Sequence, residues 1–323
     1  MVVNKTIALI GNQNCGKTTL FNALTGSNQH VGNFPGVTVE QKSGMIKRHP
    51  NIKLVDLPGI YSLTPYTMEE IVSTDFLIQE KPSMITNIID ATSIERNLYL
   101  TMQLLELNIP MILALNMMDE VINSGNCIDI DGLQDALGIK VIPISASKNE
   151  GIEALIEALE ETLIEKNCFH LDLCSGEIHK AIHSISHLIE ENINKTNLPN
   201  RFAVTKVIEG NEDIIKQLQL DEHQLHIIDH IIKDMEQKEG LDKDAALVEM
   251  RYQTIESITS KTVFKEQETN SQLRSEKIDA ILTHKYFGIP IFILIMLMIS
   301  LKSVISLSFL LIIFSLSKSY LSV

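Results

Sequence analysis

The segment GNQNCGKT, from Gly11 to Thr18, has the residue types and the spacing of a phosphate-binding loop. It follows the apolar run TIALI and fits the pattern G-x-x-x-x-G-K-[ST] between a strand-like and a helix-like segment. Gly11 and Gly16 allow the backbone to turn tightly, so that successive N–H groups can face phosphate oxygens. Lys17 is predicted to contact the β- and γ-phosphates, and Thr18 to place its hydroxyl on Mg²⁺.

Three further motifs follow, each where a strand is predicted to end. In DLPG, the Asp56 carboxylate can hold Mg²⁺ through water, and the Gly59 N–H can meet a γ-phosphate. In NMMD, Asp119 can accept from N1–H and the 2-amino group of guanine, a donor pattern that adenine lacks, while Asn116 braces the loop. In SAS, the Ala146 N–H can donate to guanine O6. In this order the motifs favour GTP and place it at the carboxyl edge of a sheet.

Three other positions bear on hydrolysis. Thr38, in the segment GSNQHVGNFPGVTV, is the candidate switch threonine that reaches Mg²⁺ only with the γ-phosphate in place. Ile60 stands where many GTPases have a glutamine that orients the attacking water, so slow hydrolysis is expected. Asn14 has two interpretations: a ligand of a monovalent cation beside the phosphates, or a loop residue with local hydrogen bonds. The residues alone do not decide between them.

The elements that must position these motifs alternate between strand-like and helix-like along residues 3 to 165. Two of the strands are continuous apolar runs, typical of central parallel strands buried on both faces. This alternation predicts a doubly wound α/β sheet. Strands are predicted at Lys5–Ile10, Val37–Lys47, Ile52–Leu57, Met84–Ala91, Met111–Asn116 and Val141–Ser145, and helices from Lys17, over Ile94–Leu107 and over Ile152–Ile164.

The region from about residue 168 to 265 has apolar residues at three- and four-residue spacing and no strand-like alternation, which predicts an all-α domain. Turns are expected at Asn197–Asn200 and Glu209–Glu212. The predicted domains are therefore a G domain at 1–166, a helical domain at 167–275, and a linker with a first transmembrane segment at 276–323.

The last part of the chain is strongly apolar from Tyr286 onward. The stretch from Phe287 to about Leu307 is long enough to span a membrane, with Lys302 near one end and able to reach outward. His284 and Lys285 favour a cytosolic position for the preceding residues. A buried soluble helix is the alternative interpretation.

Composition excludes several classes of function. A net charge of -14 over 323 residues argues against general nucleic-acid binding. Four cysteines are too few and too scattered for a disulfide framework, and Cys15 is not interpreted as a nucleophile. The acidic run Glu157 to Glu165 is interpreted as a solvated helix face, and so, in preference to a metal site, is a set of histidines and nearby cysteines. That set is His179, His183 and His187 with Cys168, His170 and Cys174.

Together the motifs resemble the ferrous iron transport protein B (FeoB) family, bacterial membrane proteins with a cytosolic GTPase. HVGNFPGVT resembles the family's first switch and DLPGIYSLTPY its second. RFAVTKVIEGNED is similar to the helical domain after the G domain, and KIDAILTHKYFGIPIF to the start of the first membrane helix. The resemblance covers roughly residues 3 to 295.

The resemblance implies a TRAFAC-like P-loop GTPase domain, an all-α domain similar to a guanine-nucleotide dissociation inhibitor, and a C-terminal transmembrane helix. It implies Fe²⁺ uptake across the inner membrane, gated by or coupled to GTP, and slow hydrolysis that K⁺ stimulates through Asn14. The family continues through many more spans, so a truncated product is expected here. The alternative is a membrane-tethered GTPase switch with no transport of its own. A ribosome-assembly or tRNA-modifying GTPase shares the motifs but is disfavoured by the apolar tail and the acidic balance.

The expected site follows from the motifs and the resemblance. Catalytic roles are assigned to Asn14, Lys17, Thr38 and Gly59. Nucleotide contacts are expected from Gly11, Asn12, Gln13, Asn14, Cys15, Gly16, Lys17, Thr18, Thr19, Gly36, Val37, Thr38, Asp56, Leu57, Pro58, Gly59, Asn116, Met117, Met118, Asp119, Ser145, Ala146 and Ser147. Mg²⁺ is assigned to Thr18, Thr38 and, through water, Asp56, and K⁺ to Asn14. The expected cofactors are GTP or GDP, Mg²⁺ and K⁺, and Fe²⁺ is the ion carried by the complete protein. Expected partners are membrane lipid, the remaining membrane domain, a small cytosolic FeoA-like protein and further copies of the chain, but no nucleic acid.

Overall fold

The computed structural model of the chain describes residues 5–26, 29–64, 66–165, 176–196 and 198–264, together with 288–293, 296–297 and 300. The chain divides into two units, Met1–Phe264 and Lys265–Val323. All the strands and helices named below belong to the first unit.

The first unit combines nine strands with eleven α-helices among its described residues. The strands are β1 (Lys5–Gly11), β2 (Gln29–Asn33), β3 (Glu40–Ile46), β4 (His49–Asp56), β5 (Met84–Asp90), β6 (Met111–Asn116), β7 (Cys127–Ile128), β8 (Lys140–Pro143) and β9 (Val263–Phe264). The α-helices are α1 (Lys17–Thr25), α2 (Met68–Asp75), α3 (Ile94–Leu105), α4 (Met118–Asn123), α5 (Ile130–Leu137), α6 (Ile152–Glu165), α7 (Gly176–Thr196), α8 (Asn200–Glu209), α9 (Glu212–Leu218), α10 (Glu222–Glu239) and α11 (Lys243–Thr262). A π-helical turn (Phe76–Glu80) continues α2, and a 3₁₀ turn (Ala91–Ser93) precedes α3.

Seven of the strands form one sheet in the order β2-β3-β4-β1-β5-β6-β8. The strands β4, β1, β5, β6 and β8 run parallel to one another. At one edge of the sheet, β3 pairs antiparallel with β4 and β2 pairs antiparallel with β3. Nearly every residue of β5 and all of β6 are buried, as their continuous apolar sequences predict. The carboxyl ends of β1, β4, β5 and β6 therefore lie at the same edge of the sheet.

Helices cover both faces of this sheet. Successive side chains of a strand point to opposite faces, and β1 shows the result: Ile7 and Leu9 belong to the core under α1 and α6. Ala8 and Ile10 belong to a second core, under α3, which continues into the helices from α7 to α11. The helical region thus shares a hydrophobic core with one face of the α/β sheet.

In the helical region, α7 to α11, capping residues mark where helices begin and end. Asp221 caps α10 in a capping box with Gln224, and Gly240 ends it in the left-handed conformation with φ 72°. The turn expected at Glu209–Glu212 is confirmed, because α8 ends at Glu209 and α9 begins at Glu212. The turn expected at Asn197–Asn200 includes Asn197, which lies outside the described residues, and α8 begins at Asn200.

Several sequence predictions need correction. The predicted strands do not include β2, which lies in the segment GSNQHVGNFPGVTV and pairs antiparallel with β3, so the sheet is mixed. The β3–β4 turn falls at Lys47–Arg48, where Arg48 takes a positive φ of 64°, so β4 begins at His49 and not at the predicted Ile52. The helical region is not free of strands, since β9 pairs with β7.

The predictions for the rest of the chain are only partly covered by the structure. The boundaries near residues 166 and 275, and most of the predicted span Phe287–Leu307, lie outside the described residues and stay predictions. Among the residues that are described, no helix is both long enough and apolar enough to cross a membrane.

Candidate functional site

The phosphate-binding loop joins β1 to α1 and depends on its two glycines. Gly16 has φ 89°, and a Cβ there would lie 2.2 Å from Nδ2 of Asn116. A Cβ on Gly11 would lie 2.2 Å from the carbonyl oxygen of Ile88. Asn14 also has a positive φ, 64°. No larger residue fits either glycine position, so this loop has the shape of a backbone cradle, as its sequence predicts.

Lys17 and Asp56 meet at the centre of the site. The Lys17 ammonium lies 2.5 Å from Oδ1 of Asp56, and both side chains are largely buried. Burial raises the pKa of the Asp56 carboxyl, and the Lys17 charge works against that rise. The structure thus brings together the two groups that were assigned to phosphate and to Mg²⁺.

Asn116, at the end of β6, connects the phosphate-binding loop to the loop predicted to read the base. Its Nδ2 donates to the Cys15 carbonyl at 2.8 Å, and its Oδ1 accepts from the Ala146 N–H at 2.9 Å. Asn116 is 3% exposed, so neither bond competes with bulk water. One side chain therefore fixes the spacing between two loops that lie 131 residues apart in sequence (146 − 15).

Asp119 lies in the first turn of α4, beside the last of the four motifs. Met117 takes a left-handed conformation with φ 63°, which turns the chain out of β6 into the helix. The Lys148 ammonium lies 3.0 Å from Oδ2 of Asp119. Hydrogen bonds from Lys148 and Ser145 lower the pKa of Asp119. The carboxylate is therefore ionised at neutral pH and can accept two hydrogen bonds.

In the first switch segment, HVGNFPGVT, Phe34 is packed in the protein interior while Thr38 is exposed. Phe34 is buried, donates its N–H to the Val39 carbonyl at 2.9 Å, and packs edge-on against Phe76 with ring centroids 6.1 Å apart. Thr38 is exposed, and so is Thr18 in the phosphate-binding loop. The structure does not bring Thr38 into a hydrogen bond with any other described residue.

The second switch segment lies directly against the phosphate-binding loop. The Leu57 N–H donates to the Leu9 carbonyl at 2.9 Å, and the Ile60 N–H to the Gly11 carbonyl at 3.1 Å. Ile60 is 2% exposed. Its side chain lies in the core and cannot orient a water molecule, which agrees with the prediction from its chemistry.

The remaining expected contact residues fall in the four motifs and in the first switch segment. Gln13 in the phosphate-binding loop and Thr19 just after it are exposed, Gly36 has φ 78° in the first switch, and Ser147 is exposed in the last motif. The neighbouring positions Val37, Pro58 and Met118 are half-buried, while Leu57 and Ser145 are buried.

Two features of the site were missed in the sequence. Thr67 and Glu70 form a complete capping box at the start of α2, which the pattern T-M-E-E could have revealed. The π-helical turn Phe76–Glu80 has no such signal, because it depends on packing against Phe34. Of the discounted metal set, the histidines lie on α7, while Cys168, His170 and Cys174 fall outside the described residues.

The residues present fit a Mg²⁺-bound guanine nucleotide. Gly11 and Gly16 allow the loop backbone to pack against Ile88 and Asn116, because a Cβ at either position would clash with one of them. Lys17 could serve as the cation for the phosphates, and Asp56 with the Thr18 hydroxyl could supply the oxygen ligands that Mg²⁺ prefers. Asp119 could supply the acceptor pair for the base.

Comparison with known proteins gives a consistent result. Residues 5–159 match the family Ferrous iron transport protein B, and residues 175–264 match the FeoB cytosolic helical domain. The Fe(2+) transporter FeoB of Methanocaldococcus jannaschii is 40% identical over 288 residues, which cover 87% of this chain and 42% of that protein. The Fe(2+) transport protein A/Fe(2+) transporter FeoB fusion protein of Porphyromonas gingivalis is 33% identical over 302 residues, 90% of this chain and 36% of that protein.

Among solved structures, NFeoB from S. thermophilus bound to GDP·AlF₄⁻ and K⁺ superposes with a TM-score of 0.70 at 38% identity. The match covers 79% of this chain and 98% of that one. The chain spans about two fifths of the length of the curated relatives named above.

Proposed function

The chain belongs to the ferrous iron transport protein B family, and from this premise we propose that it is the GTP-binding and GTP-hydrolysing part of an Fe²⁺ uptake transporter. The observation that carries the proposal is the Asn116 bridge, which holds the phosphate-binding loop and the base-reading loop at one sheet edge. In this role the chain binds GTP, hydrolyses it slowly, and gates or couples the passage of Fe²⁺ across the membrane.

The phosphates are bound by the backbone N–H groups of Gly11 to Thr18 and by Lys17. With a nucleotide bound, the Lys17 ammonium would exchange the Asp56 carboxylate for phosphate oxygens, and Asp56 would then be free to hold Mg²⁺ through water. Mg²⁺ supplies neutralisation of the charge that develops on the phosphates. Thr38 moves in from the exposed first switch, and the Gly59 N–H turns toward the γ-phosphate.

Slow intrinsic hydrolysis follows from Ile60. A buried aliphatic side chain at this position leaves the attacking water to be oriented by backbone groups and by Thr38. The Asn14 side chain is the proposed K⁺ ligand, and its exposure beside the phosphate-binding loop supports that role. The S. thermophilus relative that binds K⁺ together with GDP·AlF₄⁻ supports it as well.

The proposed signal starts at the two switches, which GTP orders over residues 30 to 40 and 57 to 70. The helical region shares a core with α3 and can respond to that change. Transmission to a membrane segment would pass through residues 265 to 285, which lie outside the described residues. The proposed location is the inner membrane, with residues 1 to about 285 in the cytoplasm.

The proposed partners beyond the nucleotide are membrane lipid, the rest of a membrane domain, and a small cytosolic FeoA-like protein. The P. gingivalis relative, in which Fe(2+) transport protein A is fused to FeoB, supports the last of these. Association between copies of the chain is also proposed, on family membership alone.

The experiment compares GTP hydrolysis by the full chain in KCl and in NaCl at equal ionic strength. Hydrolysis is expected to be at least about tenfold faster in K⁺, because a cation beside the phosphates stabilises the charge that develops in the transition state. Asn14→Ala should abolish the difference between the two salts.

A matched control separates ligand loss from backbone strain. Asn108 is also exposed and has a positive φ, 51°, but lies between α3 and β6, away from the four loops. Asn108→Ala should keep the K⁺ response. An Asn14→Ala chain that still prefers K⁺ over Na⁺ as strongly as the wild type would refute the cation-ligand role.

A further inference from the structure

Asn12, the second residue of the phosphate-binding loop, is buried without a partner. It is 1% exposed, and neither Nδ2 nor Oδ1 makes a hydrogen bond. Among the residues that the structure describes, Asn12 is the only one with a buried side-chain amide whose nitrogen and oxygen both lack a hydrogen-bond partner. An unsatisfied buried amide is unfavourable for the fold, so a residue of this type needs another explanation.

Another buried amide in the same sheet behaves in the ordinary way. Asn87 in β5 donates through Nδ2 to the Ile10 carbonyl at 3.2 Å and accepts through Oδ1 from the Thr101 hydroxyl at 2.6 Å. The fold therefore can satisfy a buried asparagine on β5, the strand next to β1, which leads into the loop. The Asn12 amide therefore lacks hydrogen-bond partners because of where it lies in the fold.

That position is the line of contact between the phosphate-binding loop and the second switch. On one side of Asn12, the Gly11 carbonyl accepts from the Ile60 N–H at 3.1 Å. On the other side, Gln13 lies so close to Gly59 that a Cβ added there would be 3.3 Å from the Gln13 Cα. The backbone of Gly59 and Ile60 thus runs along the residues that flank Asn12.

We propose that Asn12 is a positioning residue whose amide receives the backbone of residues 57–60 when the γ-phosphate is bound. The inference rests on the proposed function. If the Gly59 N–H turns to the γ-phosphate, the Ile60 N–H leaves the Gly11 carbonyl, and backbone groups of this segment need new partners. The amide of Asn12 offers a donor and an acceptor at that place. It stabilises the GTP-bound arrangement of the second switch and contributes nothing to the arrangement seen here.

The test measures three quantities on the full chain: thermal stability without nucleotide, and the affinities for GDP and for the non-hydrolysable analogue GMPPNP. Asn12→Ala should weaken GMPPNP binding about tenfold, as expected for one or two lost hydrogen bonds. The affinity for GDP should change by less than about twofold, which is less than the change in affinity expected from the loss of one hydrogen bond. The melting temperature without nucleotide should stay unchanged or rise, because an unpaired buried amide is removed. Asn12→Ser, which keeps a donor and an acceptor, should recover part of the GMPPNP affinity.

Asn87→Ala serves as the matched control, since it removes an amide of equal size with both partners satisfied. Asn87→Ala should lower the melting temperature without nucleotide and should change the affinities for GDP and GMPPNP by the same factor. Hydrogen exchange of residues 57–64 gives an independent measure: GMPPNP should protect this segment in the wild type and less so in Asn12→Ala.

Two results would overturn the proposal. If Asn12→Ala lowers the melting temperature as Asn87→Ala does and weakens both nucleotides equally, Asn12 is a structural residue with a buried water as its partner. If the wild type binds neither GDP nor GMPPNP, the proposed function fails and this role fails with it.

Discussion

At the scale of single residues, Asp119 and Lys148 show how the site prepares an acceptor for the base. The Lys148 ammonium lies 3.0 Å from the carboxylate, and its hydrogen bond, with one from Ser145, lowers the Asp119 pKa. A lowered pKa keeps Asp119 ionised at every pH above the usual range for a carboxyl, so guanine recognition should not vary between pH 6 and 8. The motif N-x-x-D predicted the aspartate, but it does not contain the lysine that holds it.

Cys15 gives a prediction at the same scale. Burial raises its pKa to about 11, and its side chain is 1% exposed. At pH 8 only about one thiol in a thousand is then a thiolate, the form that reacts with iodoacetamide. Cys15 should stay unmodified at pH 8 in the folded chain, whereas the exposed Cys127 should react.

The measurement is mass spectrometry of peptides after timed alkylation. Modification of Cys15 should rise only as pH approaches 11 or when the chain is unfolded in denaturant. Alkylation of Cys15 at pH 8 at the rate of Cys127 would show that the phosphate-binding loop opens, contrary to the buried geometry.

At the scale of elements, the sequence predicted the parts that have strong local signals. β6 was predicted with the correct bounds, and β1 and β5 to within one residue, because continuous apolar runs bounded by polar motifs leave little choice. β2 was missed because four of its five residues are exposed, and it exists through pairing with β3 at the sheet edge. The π-helical turn was missed for a similar reason, since its first residue, Phe76, packs against Phe34 from another part of the chain. Tertiary contacts decide both elements, and a single sequence does not display them.

In the candidate site too, the features with a local sequence signal were predicted, and the features that depend on tertiary contacts were not. All four motifs follow strand ends, as predicted, while their contacts with a nucleotide stay predictions. The role of Asn116 as a brace was predicted, but its two partners, the Cys15 carbonyl and the Ala146 N–H, appear only in the fold. The unpaired state of Asn12 has no sequence signal, because it depends on what surrounds the side chain.

At the scale of the whole described unit, a buried ionic cluster joins the nucleotide-binding fold to the helical region. Arg251 of α11 contacts both oxygens of Glu106 with its guanidinium, the shorter distance from Nη2 being 3.1 Å, and Thr205 of α8 donates to the same carboxylate at 3.0 Å. Arg251 is 4% exposed and Glu106 is 7% exposed. Because a charge left alone in this environment is costly, the two regions should move together rather than separate.

A double-mutant cycle tests this coupling. Glu106→Ala and Arg251→Ala should each destabilise the chain by about 3–5 kcal/mol in urea unfolding, because each removes the closest partner of a buried charge and Arg251 keeps only the more distant Glu209 carboxylate, at 3.8 Å. The double variant should cost clearly less than the sum of the two.

An exposed pair provides the control for that cycle. Lys233 and Asp229 lie 2.6 Å apart on the surface of α10, and removal of either should leave stability nearly unchanged. If Glu106→Ala and Arg251→Ala proved additive, the cluster would not couple the two regions.

The measurement that tests the central claim most directly is binding of GDP, ADP and xanthosine diphosphate to the wild-type chain and to Asp119→Asn. The wild type should bind GDP with Mg²⁺ and reject ADP by at least about a hundredfold, since adenine leaves the Asp119 carboxylate without its donors. Asp119→Asn exchanges an acceptor for a donor, so it should lose GDP and gain xanthosine diphosphate, which carries an oxygen in place of the 2-amino group. Equal binding of ADP and GDP, or an Asp119→Asn chain that keeps its GDP affinity, would contradict the assignment of this sheet edge as a guanine-nucleotide site.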